Sequence, residues 1–177
     1  MICTNEYESP LGTLLLACDG QGLTGLWFKE GSKYCGYGLR EDARPRETAV
    51  FDQTKRWLDL YFSGRDPGFL PRIHLVGTPF RNRVGEILCE IPYGKTVTYG
   101  WIADRLAKER GLEKMSARAV GGAVGHNPIS IIVPCHRVVG ADGLLTGYAG
   151  GIERKIALLE LEGAEIQKRR AHVCSRS

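Results

Sequence analysis

Three apolar β-branched residues, Ile131-Ile132-Val133, are stopped by Pro134 and followed at once by Cys135, His136 and Arg137. No other stretch limits so strongly what this chain can fold into. The apolar run reads as a short buried strand, since β-branched side chains suit a sheet covered on both faces. Pro134 brings no N–H to a ladder and fixes its own φ, so the strand ends there. The fold must therefore deliver a thiol to the point where buried structure gives way to loop, beside an imidazole and a permanent cation. Adjacency alone does not make these groups a site. Neighbouring side chains of an extended segment point to opposite faces, and a core cysteine before a surface turn is the commoner arrangement.

The remaining composition narrows the setting. A chain of 177 residues makes one ordinary domain or two small ones. No apolar run approaches the roughly 20 residues that span a bilayer, so no membrane contact is expected. Met1 to Glu6 has no basic start leading into an apolar core, so no signal peptide is expected. Six cysteines, at positions 3, 18, 35, 89, 135 and 174, are scattered without paired spacing and should stay reduced. That places the chain in the cytoplasm, or in the nucleus of a eukaryote. The four histidines lie far from any Cys-x-x-Cys unit, which leaves no closed zinc site and no expected metal. A net charge of +4 permits a polyanionic partner without requiring one.

The first third reads as α+β. Thr13–Cys18 and Leu23–Phe28 flank the turn-rich Asp19-Gly20-Gln21-Gly22, the pattern of a β-hairpin. Residues 31–47 read as a surface loop of low information. From Thr48 to Ser63, Phe51, Leu58, Tyr61 and Phe62 share a helical face with Trp57 beside them, and Gly64 supplies the stop. This third offers no titratable constellation, so its expected role is scaffold.

The second half is helix-rich. Phe80, Val84, Ile87, Leu88 and Ile91 recur at helical spacing before Pro92-Tyr93-Gly94. Thr98 can cap a helix whose inward face is Ile102, Leu106 and Trp101, and Ser116 can cap another over Ala117–Val124. Two short helices separated by a turn outline a helix-turn-helix. Gly121 and Gly122 each cost the second helix about 1 kcal/mol against alanine. Either they let helices pack closely, or they let the backbone press into a groove. With Arg118 as its one long cation, this helix has little equipment for reading base edges. That favours a minor-groove, shape-driven mode.

Taken together, Pro134-Cys135-His136-Arg137-Val138, Gly125-His126-Asn127-Pro128, Arg118-Ala119-Val120-Gly121-Gly122, Thr146-Gly147-Tyr148-Ala149-Gly150-Gly151 and Lys155–Gly163 carry a resemblance. The chain resembles the O6-alkylguanine-DNA alkyltransferases, also called methylated-DNA–protein-cysteine methyltransferases. The likeness is close over residues 78–165 and looser at Ser9-Pro10-Leu11-Gly12. It implies an α+β chain in three parts. Residues 1–77 would form a small ribonuclease-H-like sheet-plus-helix domain, and residues 78–165 a winged helix-turn-helix-like DNA-binding domain carrying the cysteine. Residues 166–177 would be a basic, mobile tail.

The resemblance also implies the chemistry. Cys135 would take an alkyl group, irreversibly and once per chain, from O6 of guanine in duplex DNA, and less readily from O4 of thymine. His136 would help deprotonate the thiol through a water, with Glu162 orienting the imidazole, and Asn127 would hold the turn that presents the loop. The damaged base must leave the stack to be reached. Arg118, flanked by Ala117, Ala119 and Gly121, would fill the gap, while Tyr99 would crowd the target phosphate and touch the base. Carbonyls of Cys135 and Val138, with Tyr148 and the N–H of Ala149, would line the pocket. Gly150 would shape its loop, and Lys155 would support that loop. No cofactor is implied, and the protein would be a monomer whose partner is DNA containing O6-alkylguanine.

Two departures from the family stand out. The turn Lys108–Lys114 is longer than in typical members, and Cys3, Cys18 and His74 lack a fourth partner for the structural zinc of some animal members. Three rivals remain: an alkyltransferase-like binding module, which would lack the acceptor cysteine; a helix-turn-helix regulator, which needs no Cys-His-Glu set; and a cysteine hydrolase, which would turn over.

Overall fold

The computed structural model describes residues 1–167. The tail anticipated from residue 166 lies, from residue 168 on, outside the described residues. The N-terminal part is organised on the hairpin of β2 (Gly12–Cys18) and β3 (Leu23–Phe28), which pair antiparallel. The Asp19 carboxylate accepts from the N–H groups of Gln21 and Gly22 and closes the turn between them.

A third long strand, β1 (Cys3–Ser9), pairs with β2 from Cys3 opposite Cys18 to Ser9 opposite Gly12. It is mostly polar, and only Cys3 is buried, so its sequence lacks the apolar run that marks β2. A two-residue strand, β4 (Arg44–Pro45), joins it in parallel and completes the order β3-β2-β1-β4.

Helix α1 (Ala49–Phe62) packs on this sheet. Its start is set by Thr48, whose hydroxyl accepts from the Phe51 N–H, and its end by Gly64 at φ 85°. Phe51, Thr54, Trp57, Leu58 and Tyr61 form its buried stripe.

Three further helices begin the same way. The hydroxyls of Thr78, Thr98 and Ser116 accept from the N–H three residues on, starting α2 (Pro79–Cys89), α3 (Tyr99–Glu109) and α4 (Ala117–Gly125). Helices α3 and α4 pack on one another as the helix-turn-helix spacing requires. The inward face of α3 differs from expectation at one residue. Ile102, Ala103, Leu106 and Ala107 are buried, whereas Trp101 is 46% exposed with the Arg105 guanidinium over its ring. One step around the helix is 100°, and that turns the indole off the stripe. The long turn after α3 follows an ion network, Arg83–Glu109–Arg105–Glu90, that ties α2 to α3.

The apolar run before the cysteine is a correction. Ile131–Val133 is buried, but it is a tight turn and not a strand, with Ile131 at φ 69°. The Ile132 N–H donates to Ser130 O and the Val133 N–H to Ile129 O, so the backbone folds on itself. Asn127 makes that possible. Its Nδ2 donates to Ile129 O (3.1 Å) and Val133 O (2.8 Å), and its Oδ1 accepts from the Ile129 N–H. A side-chain amide thus replaces the ladder that a strand would have needed.

After this turn come β6 (Val138–Val139), parallel to β5 (Val97–Thr98), and then α5 (Ile152–Leu161). One apolar core runs through both halves, from Leu16, Phe28 and Tyr61 to Ile129, Cys135 and Leu158. The outer edge of β3 extends into the second half: Leu26 N–H donates to Pro128 O and Ser130 N–H to Leu26 O, each at 2.9 Å. The sheet therefore carries the turn that presents the cysteine. Among the described residues no helix is long and apolar enough to cross a membrane.

Candidate active site

Cys135 opens a single turn of 3-10 helix, Cys135–Arg137, and is 6% exposed. It forms part of the floor of a pocket of about 330 Å³. Gly121, Gly122 and Gly125 of α4 line that pocket together with Tyr99, Gly147, Tyr148 and Ala149. The Tyr99 hydroxyl is within 2.9 Å of the Thr146 hydroxyl, which fixes its ring. Burial pushes the Cys135 thiol pKa up, while Asn127 and the Lys155 ammonium pull it back down.

Behind the thiol lies a saturated charge cluster centred on Glu162, the residue that caps the C-terminus of α5. Its Oε1 accepts from His136 Nε2 (2.8 Å), Tyr61 OH (2.9 Å) and Arg137 Nη2 (2.8 Å). Its Oε2 accepts from Arg137 Nε (2.9 Å) and the Gly94 N–H (3.3 Å). Arg137 Nη1 also donates to Ile91 O at 2.7 Å. Burial alone would raise the Glu162 carboxyl, but the bonds from His136 and Arg137 outweigh it and hold the pKa at about 2.

An ionised carboxylate can only accept, so His136 Nε2 must carry the proton it shares with Glu162. Burial also lowers the His136 pKa, which keeps the ring neutral at pH 7. The remaining ring nitrogen, Nδ1, is buried and has no hydrogen-bond partner among the described residues. It is the free basic lone pair of the site.

Lys155 is fully buried. Its Nζ donates to Val138 O at 2.6 Å, and burial lowers its pKa to about 8. The Val138 carbonyl is thereby engaged by Lys155, and Val138 does not line the pocket. Gly150 is required by contact: a Cβ there would come within 2.8 Å of Phe28 Cδ2 and 2.9 Å of Tyr148 Cε1. Gly122 is different, since a Cβ on it would meet nothing within 4 Å. At Gly121 a Cβ would only touch Tyr99 Cδ1, at 4.0 Å. Close packing inside the protein therefore does not explain the two helix glycines. Ala117, Arg118 and Ala119 stand exposed on the same helix.

Two parts of the site had no clear signal in the sequence. Tyr61 reaches Glu162 from a helix 101 residues earlier, so the N-terminal half is more than scaffold. The low-information stretch 31–47 also supplies Lys33 and Tyr34 to the pocket. Arg137 was legible as a cation, but its place in the buried cluster was not.

The site is thus a buried thiol, next in the chain to a buried imidazole, at a pocket that the second helix of a helix-turn-helix also lines. A protein of this class docks on nucleic acid and carries out thiol chemistry from the docked position. Comparison with known proteins names the family. The chain belongs to the 6-O-methylguanine DNA methyltransferase family: residues 79–164 match its DNA binding domain and residues 2–69 its ribonuclease-like domain.

Among its relatives, the methylated-DNA–protein-cysteine methyltransferase of Mycobacterium tuberculosis is 46% identical over 162 residues, 92% of this chain and 93% of that protein. The Methanosarcina acetivorans protein of the same name is 43% identical over 158 residues, covering 89% and 96%. The fold matches the crystal structure of Mycobacterium tuberculosis OGT in complex with DNA at a TM-score of 0.75, with 46% identity over 91% of both chains. A Methanococcus jannaschii O6-methylguanine DNA methyltransferase matches at 0.60 with 25% identity, covering 95% of this chain and 100% of that one.

Proposed function

We infer that this protein repairs DNA by direct reversal, moving an alkyl group from O6 of guanine in duplex DNA to its own Cys135. The observation that carries this reading is a thiol that lines the pocket, followed in the chain by a buried His136 whose Nε2 is held by Glu162 and whose Nδ1 is left without a protein partner among the described residues. Helix α4 meets the duplex through its exposed Ala117-Arg118-Ala119 face. Gly121 and Gly122, where a Cβ would crowd no protein neighbour, let the groove wall approach the backbone. The base leaves the stack, Arg118 takes its place, and the pocket beneath α4 receives it.

The transfer is one displacement. The thiol proton passes through a bridging water to His136 Nδ1, and the imidazolium is stabilised by Glu162. The Cys135 thiolate attacks the alkyl carbon, so a C–S bond forms as the C–O6 bond breaks. The electron pair of the broken bond stays with the guanine, which takes back through water the proton that the thiol gave to His136, so that guanine and a neutral imidazole are both restored. Tyr99, Tyr148 and the Ala149 N–H position the base, Asn127 holds the thiol's turn in place, and Lys155 lowers the thiol pKa by its charge. No cofactor takes part, and the free cysteines fit a reducing compartment such as the cytoplasm.

The product is a thioether. Unlike an acyl thioester it offers water no electrophilic carbonyl, so nothing in the site can cleave it. The test is a titration against duplex DNA bearing O6-methylguanine, read by intact mass and peptide mapping. Repaired lesions should plateau at one per chain, with the mass of one methyl group gained at Cys135. A linear course reaching many lesions per chain would return the site to hydrolase chemistry. Binding of the lesion without any mass gain would make it a recognition module.

A further inference from the structure

The pocket has one wall that the reading above does not use. The segment between β3 and β4 leaves the sheet after Phe28 and crosses to the second half of the protein. The Lys33 N–H donates to Ala149 O at 2.8 Å, which ties the segment to the glycine-rich loop of the site. Arg154 reinforces that link, since its Nη1 donates to both Glu30 O (2.6 Å) and Gly150 O (3.1 Å). The next residue, Tyr34, lines the same pocket as Cys135. Its ring stacks on His126, with centroids 4.8 Å apart and planes 28° apart. His126 is itself held at the end of α4, its Nδ1 within 2.7 Å of Gly122 O.

Tyr34 has φ 62°, a left-handed backbone that costs a bulky side chain energy. The ring is nonetheless 46% exposed, so burying apolar surface is not what repays that cost. An aromatic ring held in a strained backbone, braced on a pinned imidazole and facing a pocket for a flat heteroaromatic base, is placed to be covered by a ligand.

Resting on the reading of Cys135 as alkyl acceptor, we propose that Tyr34, braced on His126, is a substrate-positioning wall that contacts the extrahelical guanine. The N-terminal half would then contribute directly to lesion binding. Aromatic contact of this kind tolerates any base with a π face, so its contribution is to affinity and not to the displacement itself.

The test uses the full chain with free O6-benzylguanine and with duplex DNA bearing O6-methylguanine, resolving the binding constant from the first-order transfer rate. Tyr34→Gly keeps the left-handed backbone and removes only the ring. It should weaken binding of both substrates by about tenfold or more, with the transfer rate at saturation unchanged. Tyr34→Phe keeps the ring and should bind as the wild type does. If Tyr34→Gly binds both substrates as tightly as the wild type, or if its loss lies in the transfer rate, the proposal is overturned. The wild type separates the two readings: if it gains no benzyl mass at Cys135, the reading of the site has failed and not the role of Tyr34.

Discussion

The two sides of Cys135 are built in opposite ways. In front of the thiol, the pocket is lined by glycines, loop residues and half-exposed aromatics, and Gly122 has empty space where a side chain could stand. Behind it, His136, Glu162, Arg137 and Tyr61 form a closed cluster with every carboxylate lone pair engaged. On the proposed function, the front has to admit a base and a groove wall, and its open packing suits that. The back has to hold one proton arrangement in low dielectric, where an unpaired polar group is costly, and its closed cluster suits that. The proposal thus divides recognition and activation between the two faces of one residue.

The largest effect should come at the residue they share. Cys135→Ser leaves both faces in place but removes the nucleophile. Transfer of labelled methyl should disappear while binding of O6-methylguanine duplex persists. Residual label on the protein would move the acceptor elsewhere, with Cys89 the next candidate.

Glu162→Gln breaks the back alone. It leaves the buried Arg137 without its counter-ion and should cost about 3–5 kcal/mol in urea denaturation at pH 7. The effect has a pH signature. The Glu162 pKa is about 2 in the folded protein against an ordinary 4.5. A depressed carboxyl stabilises the fold above its unfolded pKa and loses that contribution as pH falls through the folded one. On the order of 3 kcal/mol should therefore drain from the wild type between pH 4.5 and 2. The variant should lack that acid dependence, and parallel curves for the two proteins would place the stabilising charge elsewhere.

Arg118→Ala breaks the front alone. Duplex repair should slow by roughly tenfold to a hundredfold, because the space left by the flipped base goes unfilled. Reaction with free O6-benzylguanine, which needs no flipping, should suffer far less. Equal losses on both substrates would instead make Arg118 structural.

The smallest effect should come from Lys155→Met, since Lys155 is bonded to Val138 O and belongs to neither face. The substitution removes the positive charge that lowers the Cys135 pKa. The pH–rate profile should move upward by about one pH unit or less. A downward move would show that the ammonium does not favour the thiolate.

The sequence by itself determined whatever is encoded locally. Thr48, Thr78, Thr98 and Ser116 start four helices because a cap needs only a hydroxyl and the N–H three residues on. The β2–β3 hairpin follows from two apolar runs around a turn, and the Cys-His-Arg motif with its Asn and Gly-rich partners was enough to indicate the family. The tertiary structure alone decided the rest. Ile131–Val133 has the composition of a strand, but Asn127 binds the carbonyls of Ile129 and Val133 on either side of the bend, and the run folds into a turn. β1 is too polar to be recognised until β2 pairs with it. Tyr61 and Tyr34 read as a core ring and a loop residue; the shared core carries Tyr61 to Glu162, and the bond from the Lys33 N–H to Ala149 O carries Tyr34 to the pocket. Periodicity reports which face of an element is covered, not what covers it, and a charge cluster joined across 101 residues leaves no periodic trace.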